Sequence, residues 1–289
     1  MPCRLHIVFF ITFASTGNMQ TTVIDAKKKR VFFDLKELYR YRDLLFILTY
    51  RDIRVRYAQT FLGLAWAVLQ PLCILLILTF IFGNIIPVDT LNIPYPLFAI
   101  SGMAGWTYFS FVMSQAGDSI ISHQSMIQKI YFPRILIPFS KAMTGLIDFA
   151  ISLLFVLVLL IYYRHSPGAS LLYLPVFVLL TLITSLAAGI WISALTVRFR
   201  DFKHIVPFIV QLGLYATPVG YPSSLVPEKY QMIYFLNPMA GIVEGFRWCL
   251  LNTAAPPQHI WISFAVVFLL FISGLFYFKK MEYIMADIV

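Results

Sequence analysis

The sequence predicts an all-α membrane protein that crosses the bilayer six times. Of its 289 residues, 60% are hydrophobic and only 12% are charged, whereas a soluble domain has about 25% charged residues. Long stretches without acidic or basic side chains recur along the chain, and a helix needs ~20 mostly apolar residues to cross the hydrocarbon. With three Cys and no CxxC spacing, the composition excludes disulfide-stapled, disordered and collagen-like proteins.

The first 32 residues are predicted to form an N-terminal tail, and residues 1–18 resemble an over-extended start. Leu5–Ala14 has the apolar character of a short signal peptide, but only Arg4 precedes it and no good A-x-A cleavage site follows. Cleavage would also export the basic cluster that comes next, against the charge distribution of the chain. We therefore take Met19 as the working initiator.

Phe33–Gln59 is predicted to be an amphipathic helix at the cytoplasmic membrane interface. Four apolar residues recur at spacings of three and four, which places them on one helical face: Leu38, Tyr41, Leu45 and Leu48. Charged residues fill most other positions, as is typical of a helix that directs arginines toward anionic headgroups. The simpler interpretation is that this helix only anchors the first span.

Six stretches are long and apolar enough to be predicted as membrane spans. In chain order they lie at Leu62–Ile86, Tyr95–Gln115, Pro138–Tyr163, Leu172–Val197, His204–Tyr221 and Ile260–Phe278. The fifth is the shortest and is broken by Pro207 and Pro218. In the first, Gln70-Pro71 predicts a kink, because proline removes a backbone hydrogen bond from the helix.

The basic residues fall unevenly on the two sides of these spans. If the N-terminus is cytoplasmic, 18 Lys and Arg lie on the cytoplasmic side and three on the other, with Arg4 left out of the count. Because cytoplasmic loops carry an excess of Lys and Arg, both termini are predicted to face the cytoplasm. This explains the net charge of +9 without a nucleic-acid partner. Residues 33–280 are predicted to form one membrane domain, and 281–289 a cytoplasmic tail.

Asp148 is the one acidic residue well inside a predicted span. An unpaired carboxylate at mid-membrane costs about 2.5–3.5 kcal/mol, so we expect Asp148 to face the helix bundle and meet a polar partner. Neither a second carboxylate nor a histidine lies well inside the spans to continue a proton relay. A structural hydrogen bond is therefore the favoured role.

The outer segment 222–258, between the fifth and sixth spans, contains two apolar runs that are too short to cross. They are Met232–Leu236 and Ile242–Leu251. We expect two short helices folded back into the outer leaflet, which is tolerated where backbone packs on protein or lines a cavity. A cap that lies flat on the membrane is the alternative.

Four residues of this segment are candidates for an outer gate. Asn237-Pro238 is a turn signal between the two apolar runs. Glu244 and Arg247 are three residues apart, so they can pair on one helical face. The pair either shapes an outer gate or only stabilises its helix, and the sequence favours neither.

Several short motifs resemble those of a known transporter family. They are Arg51–Tyr57 with Gln59-Thr60, Leu62-Gly63, Trp66-Ala67 and Gln70-Pro71, then Tyr131–Arg134 with Pro138, and finally Asn237-Pro238 with Glu244, Phe246 and Arg247. Together they resemble the permease subunits of ABC polysaccharide exporters, which serve O-antigen, teichoic acid and capsule export. The O-antigen type is the most similar, and the likeness extends over nearly the whole chain.

The resemblance implies a homodimer in the bacterial inner membrane, docked on two cytoplasmic ABC ATPase subunits. It implies export of an undecaprenyl-diphosphate-linked glycan through a channel between the protomers. This chain itself has no GxxxxGK[ST] loop, since none of its 14 glycines precedes Lys, and it has no HExxH or similar metal-binding spacing. We therefore expect no metal, cofactor or catalytic residue in this chain, and ATP and Mg²⁺ on the partner.

The segment Ile120–Arg134 resembles the coupling helix that contacts the ATPase in this family. It is compatible with a helix as far as Phe132-Pro133, where proline ends the helix and turns the chain. An ordinary cytoplasmic loop is the alternative. The candidate coupling residues are Gln128, Lys129, Tyr131, Phe132, Pro133 and Arg134.

Aromatic and basic residues supply candidates for substrate contact. Sugar rings have apolar faces that stack on aromatic rings, so an aromatic channel could hold a glycan weakly at many places. The candidates are Trp66, Phe80, Phe82, Trp106, Tyr108, Phe109, Phe111 and Tyr215. Packing against lipid explains many aromatic residues equally well. The candidate contacts for the lipid diphosphate are Arg51, Arg54 and Arg56, although they could bind membrane lipid alone.

Two other function classes fit less well, and a third stays open. A secondary transporter usually has internal repeats and charged or broken helices at mid-membrane, and here only Asp148 fits that description. A membrane acyl- or glycosyltransferase would need convergent His, Asp and Glu clusters, and the sequence shows none. An exporter of another lipid-linked or amphipathic substrate on the same fold remains a full alternative.

Overall fold

The computed structural model describes residues 35–58, 63–85, 88–90 and 93–288. Within those ranges the chain forms helices and turns and no strand, so the all-α prediction is confirmed for this part. The predicted tail 1–32 lies outside the described residues. So do the ends of the predicted interface helix, at Phe33 and Gln59.

The predicted interface helix is divided in two. Helix α1 spans Leu35–Arg40 and α2 spans Arg42–Tyr57, with Tyr41 as the break between them. The face that carries Leu48 is the buried one, as the spacing predicts. This face packs against protein rather than lipid, because residues of both helices contact a buried cluster that includes Leu136, Ile137 and residues near the end of the chain.

Five of the helices are long and apolar enough to cross a membrane. They are Gly63–Ile85, Tyr95–Ser122, Leu136–Tyr162, Ala169–Arg198 and Ile260–Glu282. These correspond to five of the six predicted spans. The first consists of α3, Trp66–Leu78, between a 3-10 turn and a π-helical turn over Thr79–Ile85. Pro71 lies inside α3, and the kink expected there stays a prediction.

The remaining predicted span, His204–Tyr221, forms a shorter helix, α8, over Phe202–Ala216. Its 15 residues rise about 22 Å, less than the ~30 Å of a bilayer core. The helix continues through Pro207 but ends before Thr217-Pro218, because a residue that precedes proline is disfavoured in helical geometry. The count of six spans therefore stays a prediction.

The helix α4, Tyr95–Ser122, lies at the centre of the bundle. It contacts α6, Leu136–Tyr162, and α7, Leu174–Arg198. In its most apolar window 78% of the residues are buried, against 11% in the first span. A Cβ atom on Gly189 of α7 would lie 2.9 Å from the Cβ of Ala116. Small residues thus let α4 and α7 approach closely, as is common between membrane helices.

The outer segment contains two helices, α9 over Glu228–Tyr234 and α10 over Pro238–Leu251. Eleven of the 14 residues of α10 are buried, since it packs against α4, α7 and the last helix, α11, at Ile260–Ile288. The two short helices match the prediction. Their position relative to a bilayer stays a prediction.

Candidate functional site

Two ion pairs of opposite polarity join α2 to α6. Lys141 Nζ lies 2.6 Å from Asp52 Oδ2, and Arg56 Nη2 lies 2.7 Å from Asp148 Oδ2. Asp52 and Arg56 are four residues apart on α2, while Lys141 and Asp148 are seven apart on α6, so each helix presents both its residues on one face. We call these four residues the α2–α6 ladder. The acidic residue belongs to α2 in one pair and to α6 in the other, so opposite charges meet in only one register of the two helices.

Asp148 has the polar partners that its sequence position predicts. Its Oδ1 accepts a hydrogen bond from the Tyr57 hydroxyl, and its Oδ2 pairs with Arg56. The Arg56 guanidinium also lies 4.2 Å above the Phe111 ring centroid. Burial, then the hydrogen bond to Asp148, raises the pKa of Tyr57 above its ordinary value. Tyr57 thus stays protonated and donates a hydrogen bond to Asp148, which supports a structural role for Asp148.

In the other pair of the ladder, Lys141, together with the neighbouring Arg51, holds the pKa of Asp52 below its ordinary value. Burial alone would raise this pKa, but hydrogen bonds and opposite charge outweigh it. Asp52 Oδ1 accepts a 3.0 Å hydrogen bond from Arg51 Nη2. The carboxylate is therefore ionised at neutral pH and shared by two cations.

His123 is buried beneath Arg51, at the break between α4 and the next helix. Its Nε2 contacts the Arg51 guanidinium, and its Nδ1 lies 2.7 Å from the carbonyl oxygen of Ser119. Arginine can only donate, so Nε2 is the acceptor and Nδ1 carries the proton. Burial lowers the pKa of His123, and the charges of Lys141 and Arg51 lower it further against the Ser119 hydrogen bond. The imidazole is therefore neutral at neutral pH.

The three arginines proposed to contact lipid diphosphate are placed differently. Arg56 belongs to the ladder, whereas Arg51 and Arg54 are exposed. The Arg54 guanidinium lies 5.5 Å from the ring centroid of Tyr50, which is itself exposed. Arg51 and Arg54 are accessible to an anionic headgroup, and Arg56 is engaged with Asp148. Their role in substrate binding stays a prediction.

The predicted coupling segment is interrupted rather than one continuous helix. α4 ends at Ser122, a short helix α5 spans Gln124–Ile127, and turns follow as far as α6. The expectation of a helix up to Phe132-Pro133 is therefore wrong. His123 leaves helical geometry, at φ −105° and ψ 15°, where its ring is held by Ser119 and Arg51.

Ile130 and Tyr131 are large apolar residues of this segment that are exposed. They are 60% and 71% exposed, between Ile127 and Phe132, which are buried. We call Ile130 and Tyr131 the exposed tip. The coupling candidates Gln128 and Lys129 are also exposed, whereas Pro133 is buried. An exposed aromatic and aliphatic pair beside a lysine suits a protein contact, and the coupling role stays a prediction.

Arg134, in contrast, is bound to the end of the chain. Its backbone N–H donates to Glu282 Oε1 at 3.1 Å, and its guanidinium donates to the Glu282 carbonyl oxygen at 2.7 Å. Glu282 Oε2 in turn lies 2.7 Å from Lys279 Nζ. Arg134 thus has a partner within this chain.

The eight candidate channel aromatics do not line one surface of the subunit. Trp66, Phe80 and Tyr215 are exposed on the first span and α8. Trp106 and Tyr108 are buried within α4, and the Tyr108 hydroxyl donates to the Ala142 carbonyl oxygen at 3.1 Å. These two belong to the core of the subunit.

The other three channel candidates are half-buried. Phe82 stacks on Tyr95 with ring centroids 6.3 Å apart. Phe109 lies 5.5 Å from the Trp106 ring, and Phe111 lies under Arg56. Only the exposed aromatics are accessible to a second subunit, lipid or substrate, so the channel assignment stays a prediction.

In the outer segment, Arg247 is buried and forms the centre of a polar cluster. It is 1% exposed, and its guanidinium donates to the carbonyl oxygens of Val219 and Tyr221 at 2.7 and 3.2 Å. It lies 3.7 Å over the Phe98 ring and 3.2 Å from Glu244 Oε1. The predicted pairing of Glu244 with Arg247 is confirmed. The pair also holds the turn that follows α8.

Asn237 and Pro238 begin α10. The Asn237 side chain accepts a hydrogen bond from the backbone N–H of Met239 at 3.0 Å and donates to Thr217 Oγ1 at 2.9 Å. Asparagine at the N-cap and proline at the first helical position are both favoured at helix starts. The same side chain thus caps α10 and ties it to the end of α8.

Lys141, His123 and Glu282 are the polar residues that sequence reasoning missed. Lys141 lies within the third predicted span and Glu282 within the predicted tail, and neither has a role assigned from the sequence. The spacing of Asp52 to Arg56 against Lys141 to Asp148 could have predicted the ladder, since four and seven residues both return to one helical face. Nothing in the sequence pairs Glu282 with Arg134.

No three His, Cys, Asp or Glu side chains of the described ranges lie close enough together to hold a metal ion. The polar residues of the site are instead engaged with one another. Their arrangement fixes helices and turns at both ends of a membrane bundle. Exposed residues at each end of the bundle are available for contact. Within the described ranges, these polar residues do not form a catalytic arrangement.

Comparison with known proteins identifies the family. The family model for ABC-2 type transporters matches residues 43–251, which include the ladder, the exposed tip and the Arg247 cluster. The chain belongs to the ABC-2 type transporter family. The matched region covers the helices from α2 to α10, and the membership confirms the family that the sequence motifs resemble.

Known relatives align with this chain over most of their own length. The chain is 32% identical over 247 residues to the O-antigen export system permease protein RfbA of Klebsiella pneumoniae, covering 85% of this chain and 95% of the relative. It is 31% identical over 255 residues to the protein of that name from Myxococcus xanthus, covering 86% and 97%. The polysialic acid transport protein KpsM of Escherichia coli is 25% identical over 198 residues, covering 68% and 77%.

Proposed function

We propose that this chain is the membrane-spanning permease subunit of an ATP-driven exporter of polysaccharide, with an O-antigen-like glycan as cargo. The observation that carries the proposal is the similarity to O-antigen export permeases over 95% and 97% of their lengths. The chain has no phosphate-binding loop of its own, so ATP hydrolysis belongs to a separate ABC ATPase subunit. The product of transport is a glycan on the far side of the inner membrane.

In the proposed assembly, two copies of this chain form a homodimer with two ATPase subunits and carry the glycan on undecaprenyl diphosphate. The bilayer is crossed six times, with α8 and the turn after it as the fifth crossing. Eighteen basic residues lie on one side of the predicted spans and three on the other, which supports termini on the cytoplasmic side. The outer helices α9 and α10 then lie at the opposite face, where the glycan leaves.

The exposed tip is the proposed contact with the ATPase. It lies in the 13-residue connection, including α5, between α4, the central helix, and α6, so a force on the tip reaches both helices. The exposed fractions of Ile130 and Tyr131 support this assignment, because large apolar side chains that project from a membrane protein into water are typical of a protein interface. Lys129 adds a positive charge beside them.

The proposed cargo path uses the exposed aromatic residues. Trp66, Phe80 and Tyr215 lie on helices that are little covered within one subunit. In a homodimer these surfaces face either the second subunit or lipid, and a glycan can slide along aromatic faces by stacking. Arg51 and Arg54 are the proposed contacts for the lipid diphosphate at the cytoplasmic interface.

Deletion of the gene, with complementation by the chain, tests the proposal. We expect the deletion strain to lose surface polysaccharide and to accumulate lipid-linked glycan on the cytoplasmic face, and plasmid-borne expression to restore export. Normal surface glycan in the deletion strain would refute the proposed function. Loss of a polysialic acid-like polysaccharide instead would favour a second candidate cargo, which the similarity to the polysialic acid transport protein KpsM supports.

A further inference from the structure

Glu282 and Arg134 hold each other through reciprocal hydrogen bonds. The Glu282 side chain accepts from the Arg134 main chain at 3.1 Å, and the Arg134 side chain donates to the Glu282 main chain at 2.7 Å. Glu282 is 16% exposed and Lys279, which pairs with its other oxygen, is 22% exposed. The contact is thus half-buried and joins the end of α11 to a loop 148 residues earlier in the sequence.

Apolar packing brings the same two elements together. Phe132 is buried in a cluster with Phe278, Met281 and Met285 of α11. Phe132 and Arg134 follow the exposed tip directly, so both residues that anchor its C-terminal side rest on α11. The tip itself has no comparable burial. Ile127, on the N-terminal side of the tip, is buried in the same cluster. The placement of the C-terminal side of the tip therefore depends on how firmly Phe132 and Arg134 are held.

We propose that Glu282 is a positioning residue that sets the exposed tip for the ATPase subunit. The proposal rests on the proposed function, because it requires the tip to contact that subunit. Removal of the Glu282 carboxylate leaves the Arg134 N–H without its acceptor in a half-buried site, and one hydrogen bond is worth roughly a three- to tenfold change in population. The last helix would thereby control the coupling loop.

The first experiment measures the mobility of the tip in the full-length permease without the ATPase. A spin label is attached at Tyr131→Cys after Cys3 and Cys73 are replaced with serine. Glu282→Ala should increase the mobile fraction roughly three- to tenfold, while Glu282→Gln, which keeps an acceptor oxygen but loses the charge, should match the parent. Lys280→Ala, an exposed neighbour on α11, is the control and should also match the parent.

The second experiment measures ATP hydrolysis by the complex of unlabelled permease with its ATPase. Glu282→Ala should lower stimulated hydrolysis by a similar factor, with rescue by Glu282→Gln. An unchanged Glu282→Ala, or equal losses in both variants, would overturn the positioning role. If Glu282→Ala does not fold, Arg134→Met, which removes the other side-chain hydrogen bond of this contact, is tested in its place and must increase the mobile fraction of the label. A wild-type permease that does not stimulate any ATPase would contradict the proposed function instead, since the label experiment does not involve the ATPase.

Discussion

Arg247 is a buried cation that connects α10 to the turn after α8 and to α4. It lies among the carbonyl oxygens of Val219 and Tyr221, the Glu244 carboxylate and the Phe98 ring. A buried ion pair adds little net stability over a well-packed apolar pair, but removal of one partner strands the other in a low-dielectric site. Arg247 therefore stabilises mainly the turn after α8, because its guanidinium donates hydrogen bonds to the carbonyl groups of that turn.

We predict that Arg247→Met destabilises the protein by about 3–5 kcal/mol. The melting temperature of the purified protein in detergent should fall, and protease cleavage within 217–223 should increase. Glu244→Gln keeps an acceptor for the Ser223 N–H and should cost less. Lys229→Met, an exposed cation of the same segment, is the matched control. Equal melting temperatures for Arg247→Met and Lys229→Met would contradict the role assigned to Arg247.

Single residues also show which site contacts the sequence could reveal. Glu244 and Arg247 pair because three residues separate them on one helix, and Asn237 caps α10 because asparagine is favoured there, so both follow from local spacing. The contacts of Arg134 with Glu282 and of Arg51 with His123 join residues far apart in the chain. They depend on helix packing, and no local pattern specifies them.

At the scale of elements, the α2–α6 ladder fixes the interface helix to the bundle. Its two pairs have opposite polarity, so a slide of α2 along α6 would bring like charges together. All four side chains are at most about one third exposed, from 12% for Asp52 to 34% for Arg56. Partial burial makes their coupling stronger than that of ordinary surface pairs, for which the median is ~0–1 kcal/mol.

We predict coupling between Arg56 and Asp148 in a double-mutant cycle. Arg56→Met and Asp148→Asn should each destabilise the protein, and the double variant should be less damaging than their sum by about 0.5–3 kcal/mol. The measurement is the midpoint of unfolding in detergent. A parallel cycle that pairs the exposed Arg54→Met with Asp148→Asn should be additive, and additivity in both cycles would contradict the ladder.

The helices differ in how well the sequence predicts them. Five spans are recovered because apolar length is a strong local signal. The breaks at Tyr41 and His123 are missed because neither residue is a helix breaker, and tertiary contacts of His123 with Arg51 and Ser119 hold the second break. The apolar stripe of α2 is recovered, but its partner is not: spacing identifies the buried face and cannot tell lipid from protein.

At the scale of the molecule, burial divides the bundle into a core and an outer layer. The α4 window is 78% buried and that of the first span only 11%. Large apolar side chains on the first span and on α8, such as Phe80, Phe208 and Tyr215, are exposed in the single subunit. A surface of this kind needs lipid or a second subunit to cover it, which is consistent with the proposed homodimer.

In the proposed function, the chain transports polysaccharide only with an ATP-hydrolysing partner. The most direct test reconstitutes the purified chain with its ATPase subunit in vesicles that contain lipid-linked glycan, and measures the glycan that reaches the opposite leaflet. We predict transport that requires both proteins and ATP and is unaffected by a proton gradient. Transport by the chain alone, or transport driven by a proton gradient without ATP, would contradict the account.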